Sequence, residues 1–367
     1  MNNAVYIHIP FCKDICTYCD FCKFYYDNNL ADKYLESLEK EIIKYYNGEI
    51  IKTIYIGGGT PSILNNNQIE KLMNIINIFN KNVEEFTFEC NIESINEEKI
   101  RILSKYGVNR ISIGIQTFNE KYLKYLNRKH TSEEVISKVN MIKKYIDNIN
   151  IDLIYAIEGQ TLYDLEKDID KFLDLNINHI STYSLIIEPH TVLSNNNVEV
   201  IDDELDYEMY KLICNKLESN NYIHYETSNF AKTGYESKHN LVYWNNNYYY
   251  GFGLGASGYI DNIRYTNTKS INNYLNSKYR YIEEKLNINE IIENEFILGF
   301  RKIEGINISK MYKKYNLDIK KIDFIIKLIN EKKLVIDNNN LKINSDYIYI
   351  SNDILIEFLG VDYEKYI

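Results

Sequence analysis

The 367-residue sequence predicts an α/β protein: a partial (β/α)6, TIM-like barrel followed by a smaller C-terminal α+β, winged-helix-like unit. Three observations carry this. Six short runs rich in β-branched and aromatic residues, at 5–9, 53–56, 86–90, 110–115, 149–155 and 179–187, alternate with helix-period segments at 30–46, 68–79, 97–106, 133–145 and 162–173. Strand and helix alternating this regularly build right-handed β-α units around a parallel sheet. Three closely spaced cysteines directly follow the first run, where a parallel barrel carries its chemistry, at the C-terminal ends of its strands. After about Pro189 the alternation stops.

Taken in order, several of the six runs read as apolar on both faces, as strands buried on both sides do. Beyond them, 202–219 reads as a helix, 222–230 as a strand, and the Tyr- and Gly-rich stretch 242–259 resists assignment. Three helical segments (290–300, 308–315 and 319–331) precede 333–350, which alternates like a hairpin around 337–340. The expected division is a barrel over 1–190, an extension over 191–287 and a small helical domain with a β-wing over 288–367.

Composition narrows the function. With 42 basic against 52 acidic residues the net charge is -10, which argues against a mainly electrostatic nucleic-acid binder. The β-wing also lacks a basic stripe, so no nucleic-acid partner is expected. No apolar run approaches membrane-spanning length, and the N-terminus has no basic region leading into a cleavage site. Four of the six cysteines crowd one segment, with Cys90 and Cys214 isolated. That usage fits a reducing compartment, and the expected location is cytoplasmic.

The crowded segment holds Cys12, Cys16 and Cys19, separated by three and then two residues. A short loop with three thiolates can wrap three corners of a cubane iron-sulfur cluster and leave the fourth iron open. The competing zinc reading needs four closed ligands, usually two separated pairs, and no second pair exists. Cys22 reads as an extra thiol. After the second strand, Gly57-Gly-Gly-Thr-Pro61 offers a backbone that a ligand can approach, with N–H groups suited to an anion. The other strand ends supply Glu89, Asn91, Gln116 and Asp152, with Arg128 and His130 just beyond the fourth strand. Two readings are open for these: contacts to a polar cofactor, or an internal network in which Arg128 pairs with Glu89 or Asp152.

Together, 6–12, 16–21, 57–62, 109–116, 127–130 and 151–154 resemble the oxygen-independent coproporphyrinogen oxidases and their relatives, the radical S-adenosylmethionine (SAM) heme chaperones of HemW type. The resemblance covers nearly the whole chain. It implies a 4Fe-4S cluster on Cys12, Cys16 and Cys19, and SAM contacts from Tyr6, Tyr18, Gly58, Gly59, Thr60, Glu89, Gln116, Arg128 and Asp152. It also implies heme near His239-Asn-Leu-Val-Tyr-Trp244, with His239, Tyr243 and Trp244 as candidate heme residues. The chaperone branch is favoured, because Phe21 stands where the oxidases carry a further cysteine. Departures are the segment 155–160, which lacks a Gly and a Pro usual there, the missing Pro after Asn91, and Ser257 in place of a His. The implied role is to bind heme and pass it to acceptor hemoproteins, including membrane-associated respiratory proteins, without porphyrin turnover and with no catalytic residue assigned. The alternative is an oxygen-independent coproporphyrinogen III oxidase. A homodimer stays open.

Overall fold

The computed structural model describes residues 4–79, 82–196, 198 and 200–367. All six expected strands are present: β1 Ala4–Ile9, β2 Thr53–Gly58, β3 Glu85–Asn91, β4 Arg110–Gln116, β5 Asn148–Tyr155 and β6 His179–Ser184. They pair in parallel in that order. The helices between them are α1 Asn28–Tyr45, α2 Asn66–Ile76, α3 Glu97–Lys105, α4 Glu120–Tyr125, α5 Ser132–Ile142 and α6 Leu162–Asp174. Most start on an Asx or Thr cap, and Asn65 and Thr131 form full capping boxes.

Past the barrel the sequence expectations need correction. The expected helix over 202–219 is α7 Asp203–Glu218, and the expected strand over 222–230 is two antiparallel strands, β7 Ile223–Glu226 and β8 Asn229–Ala231, on the β6 edge. The unassigned stretch contains the end of helix α8 Lys238–Trp244, then β9 Tyr249–Phe252, which pairs in parallel with β1. β10 Ser257–Ile260, β11 Ile263–Asn267 and β12 Arg280–Lys285 continue antiparallel from β9. The result is one open 12-stranded sheet, β12-β11-β10-β9-β1-β2-β3-β4-β5-β6-β8-β7, with seven parallel strands at its centre. Local pattern missed β9 because its pairing partner lies some 245 positions upstream.

The parallel strands are not apolar on both faces. Ile54, Ile56, Phe86, Phe88, Ile111, Ile113, Ile149 and Ile151 face the helices and join one large core. The alternate positions, Tyr55, Glu89, Ser112 and Asp152 among them, face a polar interior that opens at the C-terminal ends. A closed barrel fills its interior with side chains; this open one leaves room there for a polar ligand.

A second apolar core gathers residues of 292–363, around Phe296, Phe300, Phe358 and Tyr363. Its three-stranded sheet includes the wing hairpin Leu334–Asp337 and Asn340–Ile343. Asn338 and Asn339 both take positive φ (47° and 65°), the twist-matched geometry of a two-residue hairpin turn. Among the described residues no helix is long and apolar enough to cross a membrane.

The antiparallel extension is pinned to α1 by Glu41, which is fully buried. It accepts hydrogen bonds from Tyr274 Oη (2.5 Å), Asn267 Nδ2 (2.6 Å) and the Gly253 N–H (2.9 Å), with Arg280 at 3.8 Å. Burial outweighs these donors and raises the carboxyl to about 7. The folded chain therefore holds a proton that the unfolded chain releases above about pH 4.3. This stabilisation is complete below that pH and is lost as pH rises through 7. Denaturant titrations of the wild type and Glu41→Gln should find the wild type's relative stability falling between pH 5 and pH 8; a constant difference would contradict the assignment.

Candidate functional site

β1 ends at Ile9 and the chain enters the cysteine loop, whose course is set by its neighbours. Phe11–Cys12 pairs with Phe24–Tyr25 and closes the loop on itself. The neutral His8 imidazole donates through Nε2 to the Cys22 carbonyl (2.8 Å) and accepts at Nδ1 from the Tyr6 hydroxyl (2.9 Å). Burial lowers His8 to about 4, so this bridge stays neutral. From the side, Asn127 Nδ2 donates to the Ile15 carbonyl (2.8 Å), and the Leu193 N–H donates to that of Thr17 (3.1 Å).

The three thiols of Cys12, Cys16 and Cys19 line one cavity of about 370 Å3 at the C-terminal mouth of the parallel strands. Among the described residues no three His, Cys, Asp or Glu side chains cluster tightly enough to hold a single metal ion. The thiols share the wall of a wider space, and each has a donor or cation beside it. Thr60 Oγ1 lies 3.7 Å from Cys12 Sγ and Arg128 Nη1 3.6 Å from Cys16 Sγ. Lys23, bonded to the Cys19 carbonyl at 2.6 Å, acts on Cys19 against the burial that raises that thiol. Burial also pushes Cys12 up to about 11, so a thiolate there requires a bound metal centre. Cys22 does not line this cavity; its Cβ faces Gly255.

Of the nine candidate SAM residues, Tyr18, Gly58, Gly59, Thr60, Glu89, Gln116, Arg128 and Asp152 all line the same cavity. Tyr6 does not; it sits a layer below, bonded to His8. The glycine loop corrects the expectation that its amides await an anion. Gly58 (φ +116°) donates to Glu89 Oε2 at 3.0 Å, Gly59 to the Ile9 carbonyl at 2.9 Å, and Thr60 to the Phe11 carbonyl at 2.8 Å. The last two amides dock the cysteine loop, and the first is taken by a carboxyl of the protein itself. A Cβ on Gly59 would stand 2.8 Å from the Phe11 carbonyl oxygen and 3.0 Å from Cys12 Sγ, so only glycine permits this approach.

The internal-pair reading fails for the two acids. Arg128 pairs instead with Glu93 (3.4 Å), and its Nη2 also reaches the Gly114 carbonyl (2.7 Å). His130 Nδ1 lies 3.3 Å from the same Glu93. Burial works against the Glu93 anion, yet His130 and Arg128 together hold it at about 2. Glu89 accepts from Tyr55 Oη (2.6 Å) and Gly58, and Asp152 from Asn150 Nδ2 (2.8 Å) and Ser112 Oγ (3.4 Å). Neither makes an ion pair among the described residues. Burial raises both, Glu89 to about 7 with the nearby Asp152 adding to it. Two half-buried carboxyls on a cavity wall, without an ion pair and with only Arg110 acting on them from a distance, suit a ligand carrying positive charge or hydroxyls.

Sequence reasoning missed Tyr55, Ser112, Tyr183 and Ile186, which also line the cavity. For Tyr55 and Ser112 strand parity carried the signal: each shares the inward face with a named candidate. Glu93 had no local signal.

His239 is not at the mouth. Its Nδ1 lies 2.9 Å from Thr53 Oγ1 and its Nε2 2.7 Å from Tyr243 Oη, while Glu85 Oε1 accepts its backbone N–H (2.9 Å). Thr53 and Glu85 begin β2 and β3, so α8 plugs the opposite, N-terminal end of the barrel. Both ring nitrogens of His239 are engaged, and burial lowers the imidazole to about 3, so an iron there would have to displace one of these bonds. Tyr243 is half-buried beside it, and Trp244 turns away into a cleft against the C-terminal unit.

Arg128→Ala should sharply lower the iron and sulfide retained after anaerobic reconstitution, and Arg128→Lys should not restore it, because one ammonium cannot span Cys16, Glu93 and the Gly114 carbonyl. Full retention in both variants would remove Arg128 from the site.

Comparison with known proteins follows from this geometry. The sequence profile of the radical SAM superfamily matches residues 6–172. A heme chaperone HemW of Lactococcus lactis subsp. lactis is 41% identical over 97% of this chain and 97% of its own. That of Bacillus subtilis is 38% identical over 97% of this chain and 99% of its own. Among solved structures, the radical SAM enzyme coproporphyrinogen III oxidase (HemN) from Escherichia coli superposes with a TM-score of 0.85 at 20% identity, covering 98% of this chain and 90% of the other, a likeness of fold.

Proposed function

Since the chain belongs to the radical SAM superfamily and, within it, to the HemW heme chaperones, we propose that it holds a 4Fe-4S cluster and SAM at the mouth of the barrel and binds heme for delivery to acceptor hemoproteins. Cys12, Cys16 and Cys19 would carry the cluster, and a cubane bound there supplies single electrons. Tyr18, Gly58, Gly59, Thr60, Gln116, Arg128, Glu89 and Asp152 would border SAM, with Tyr6 acting from below through His8. One observation supports this most strongly. Glu89 and Asp152 stand half-buried on the wall that the thiols share, with no ion-pair partner among the described residues. A SAM sulfonium and ammonium supply that charge, and its ribose supplies hydroxyls. The acceptors proposed are hemoproteins, including membrane-associated respiratory ones, met from the cytoplasm.

Glu89 sets a pH dependence. A cationic ligand favours its ionised form, which is held up to about 7 in the free protein. Binding below that pH must expel a proton, so SAM affinity should rise from pH 6 to pH 8, and Glu89→Gln should bind weakly with a flat profile. Equilibrium dialysis against radiolabelled SAM reads this directly; a pH-independent wild-type affinity would contradict it.

Heme titration followed by absorbance, with a coproporphyrinogen turnover assay on the same reconstituted sample, tests the chaperone role. Stoichiometric heme binding without decarboxylation is expected. Carbon dioxide release with SAM consumption and no saturable heme binding would replace the proposal with the oxidase. His239→Ala separates ligand from plug: loss of an axial ligand moves the heme absorbance with thermal stability intact. Loss of a plug strands Thr53 and Tyr243 and lowers the melting temperature by several degrees, at about 1–3 kcal/mol for each stranded group. The buried, doubly bonded imidazole favours the second outcome.

A further inference from the structure

Below the mouth, the polar interior of the barrel carries a continuous line of hydrogen bonds down to its floor. Asp152, half-buried on the cavity wall, accepts at Oδ1 from Asn150 Nδ2 (2.8 Å). Asn150 Oδ1 lies 2.6 Å from His179 Nδ1, and His179 Nε2 lies 2.8 Å from Tyr225 Oη. Tyr225 Oη in turn accepts the Ser237 backbone N–H at 3.2 Å. Ser237 is the N-cap of α8, so the line joins the mouth to the helix that closes the floor. Asn150, His179 and Ser237 are buried, and the His179 ring packs edge-on against Tyr225.

The two ends of this line fix its direction. A backbone N–H only donates, and an ionised carboxylate only accepts. With Asp152 ionised, the Asn150 amide faces it with its NH2, the amide oxygen faces His179, and the imidazole donates through Nδ1. Nε2 then accepts the Tyr225 hydroxyl hydrogen, and the phenol oxygen keeps its lone pairs for Ser237. Two serines agree with this direction. Ser181 Oγ donates to Asn150 Oδ1 (3.2 Å), and Ser112 Oγ accepts from Asn150 Nδ2 (2.8 Å) and donates to Asp152 Oδ2 (3.4 Å). Reversal, with a protonated Asp152 donating to Asn150 Oδ1, points both His179 Nε2–H and the Ser237 N–H at the phenol oxygen. The phenol hydrogen then has no acceptor among the described residues, a cost that the observed direction avoids. We propose that His179 and Tyr225 are positioning residues for the cationic ligand of the mouth: acting through Asn150, they present Asp152 with donors alone and hold it as an anion turned to the cavity. The other groups around Asp152 are Arg110 on β4, Glu89 on β3, Tyr55 on β2 and Tyr183 on β6. Burial raises Asp152, and Ser181, Asn150, Arg110 and Ser112 oppose it. Burial and Arg110 lower His179 well below its usual range, so it works as a neutral tautomer and not as a charge.

This rests on the SAM reading proposed above, and the test keeps the two apart. SAM binding is measured by equilibrium dialysis on the reconstituted full-length wild type, Tyr225→Phe, Asp152→Asn and the double variant, with circular dichroism confirming that each is folded. Tyr225→Phe removes one hydroxyl at the floor. It is expected to weaken SAM about fivefold in the wild type and to cost nothing further once Asp152 is Asn. Equal losses in both backgrounds, or no loss from Tyr225→Phe, overturn the proposal and leave the SAM site standing. No saturable SAM binding to the wild type removes both. A second measurement does not depend on the variants binding SAM. Nitrogen-15 NMR of the histidine-labelled wild type, with the His179 signal assigned by its absence in His179→Gln, is expected to show a neutral ring protonated at Nδ1 from pH 6 to pH 8. Protonation at Nε2, or an even mixture of the two tautomers, overturns the proposal.

Discussion

A loop that presents three thiols to one space works only if its backbone is held from outside, because thiols on a flexible loop lose the geometry that makes three ligands act as one. Here the holding is done by groups from three separate elements. The Gly59 and Thr60 amides fasten the start of the loop, the His8 imidazole fastens its end, and the Asn127 side chain just after α4 fastens its middle. The glycine turn thereby stands closer to the thiols than its position in the chain suggests. Its amides bind protein and not ligand, and its lack of Cβ atoms lets Phe11 and Cys12 approach.

The same economy explains the polar interior. An open barrel with seven parallel strands leaves its inward face unfilled, so buried carboxyls there must find donors or a ligand. Glu89 and Asp152 find neutral donors only, whereas Arg128, the nearest cation from sequence, is committed to Glu93 and to the Cys16 thiol. Charge is thus divided: the guanidinium serves the cysteines, and the acids are left for the ligand.

At the other end of the barrel α8 fills the floor. Glu85 accepts the first N–H groups of this helix, so a buried carboxylate caps an N-terminus where the helix dipole favours it. His239 then bonds upward to Thr53 and sideways to Tyr243, and its role in this arrangement is to join the helix to the strands. The helix closes the barrel floor and hands the chain to β9, while its last residue faces the cleft with the C-terminal unit.

Much was legible without coordinates. Six alternating runs determined the parallel strands, because a 2-residue and a 3.6-residue period are local properties of the chain. The spacing of Cys12, Cys16 and Cys19 determined that three thiols meet at one cavity, because a short loop cannot disperse them. The nine SAM candidates came from the family resemblance, and eight of them line one cavity. Pairing and partners were decided only by the tertiary structure. β9 joins β1 across most of the chain, Arg128 chooses Glu93 over Glu89 or Asp152, and His239 faces the floor and not the mouth. These depend on which distant residues share a buried volume, and no window of neighbouring residues contains that information.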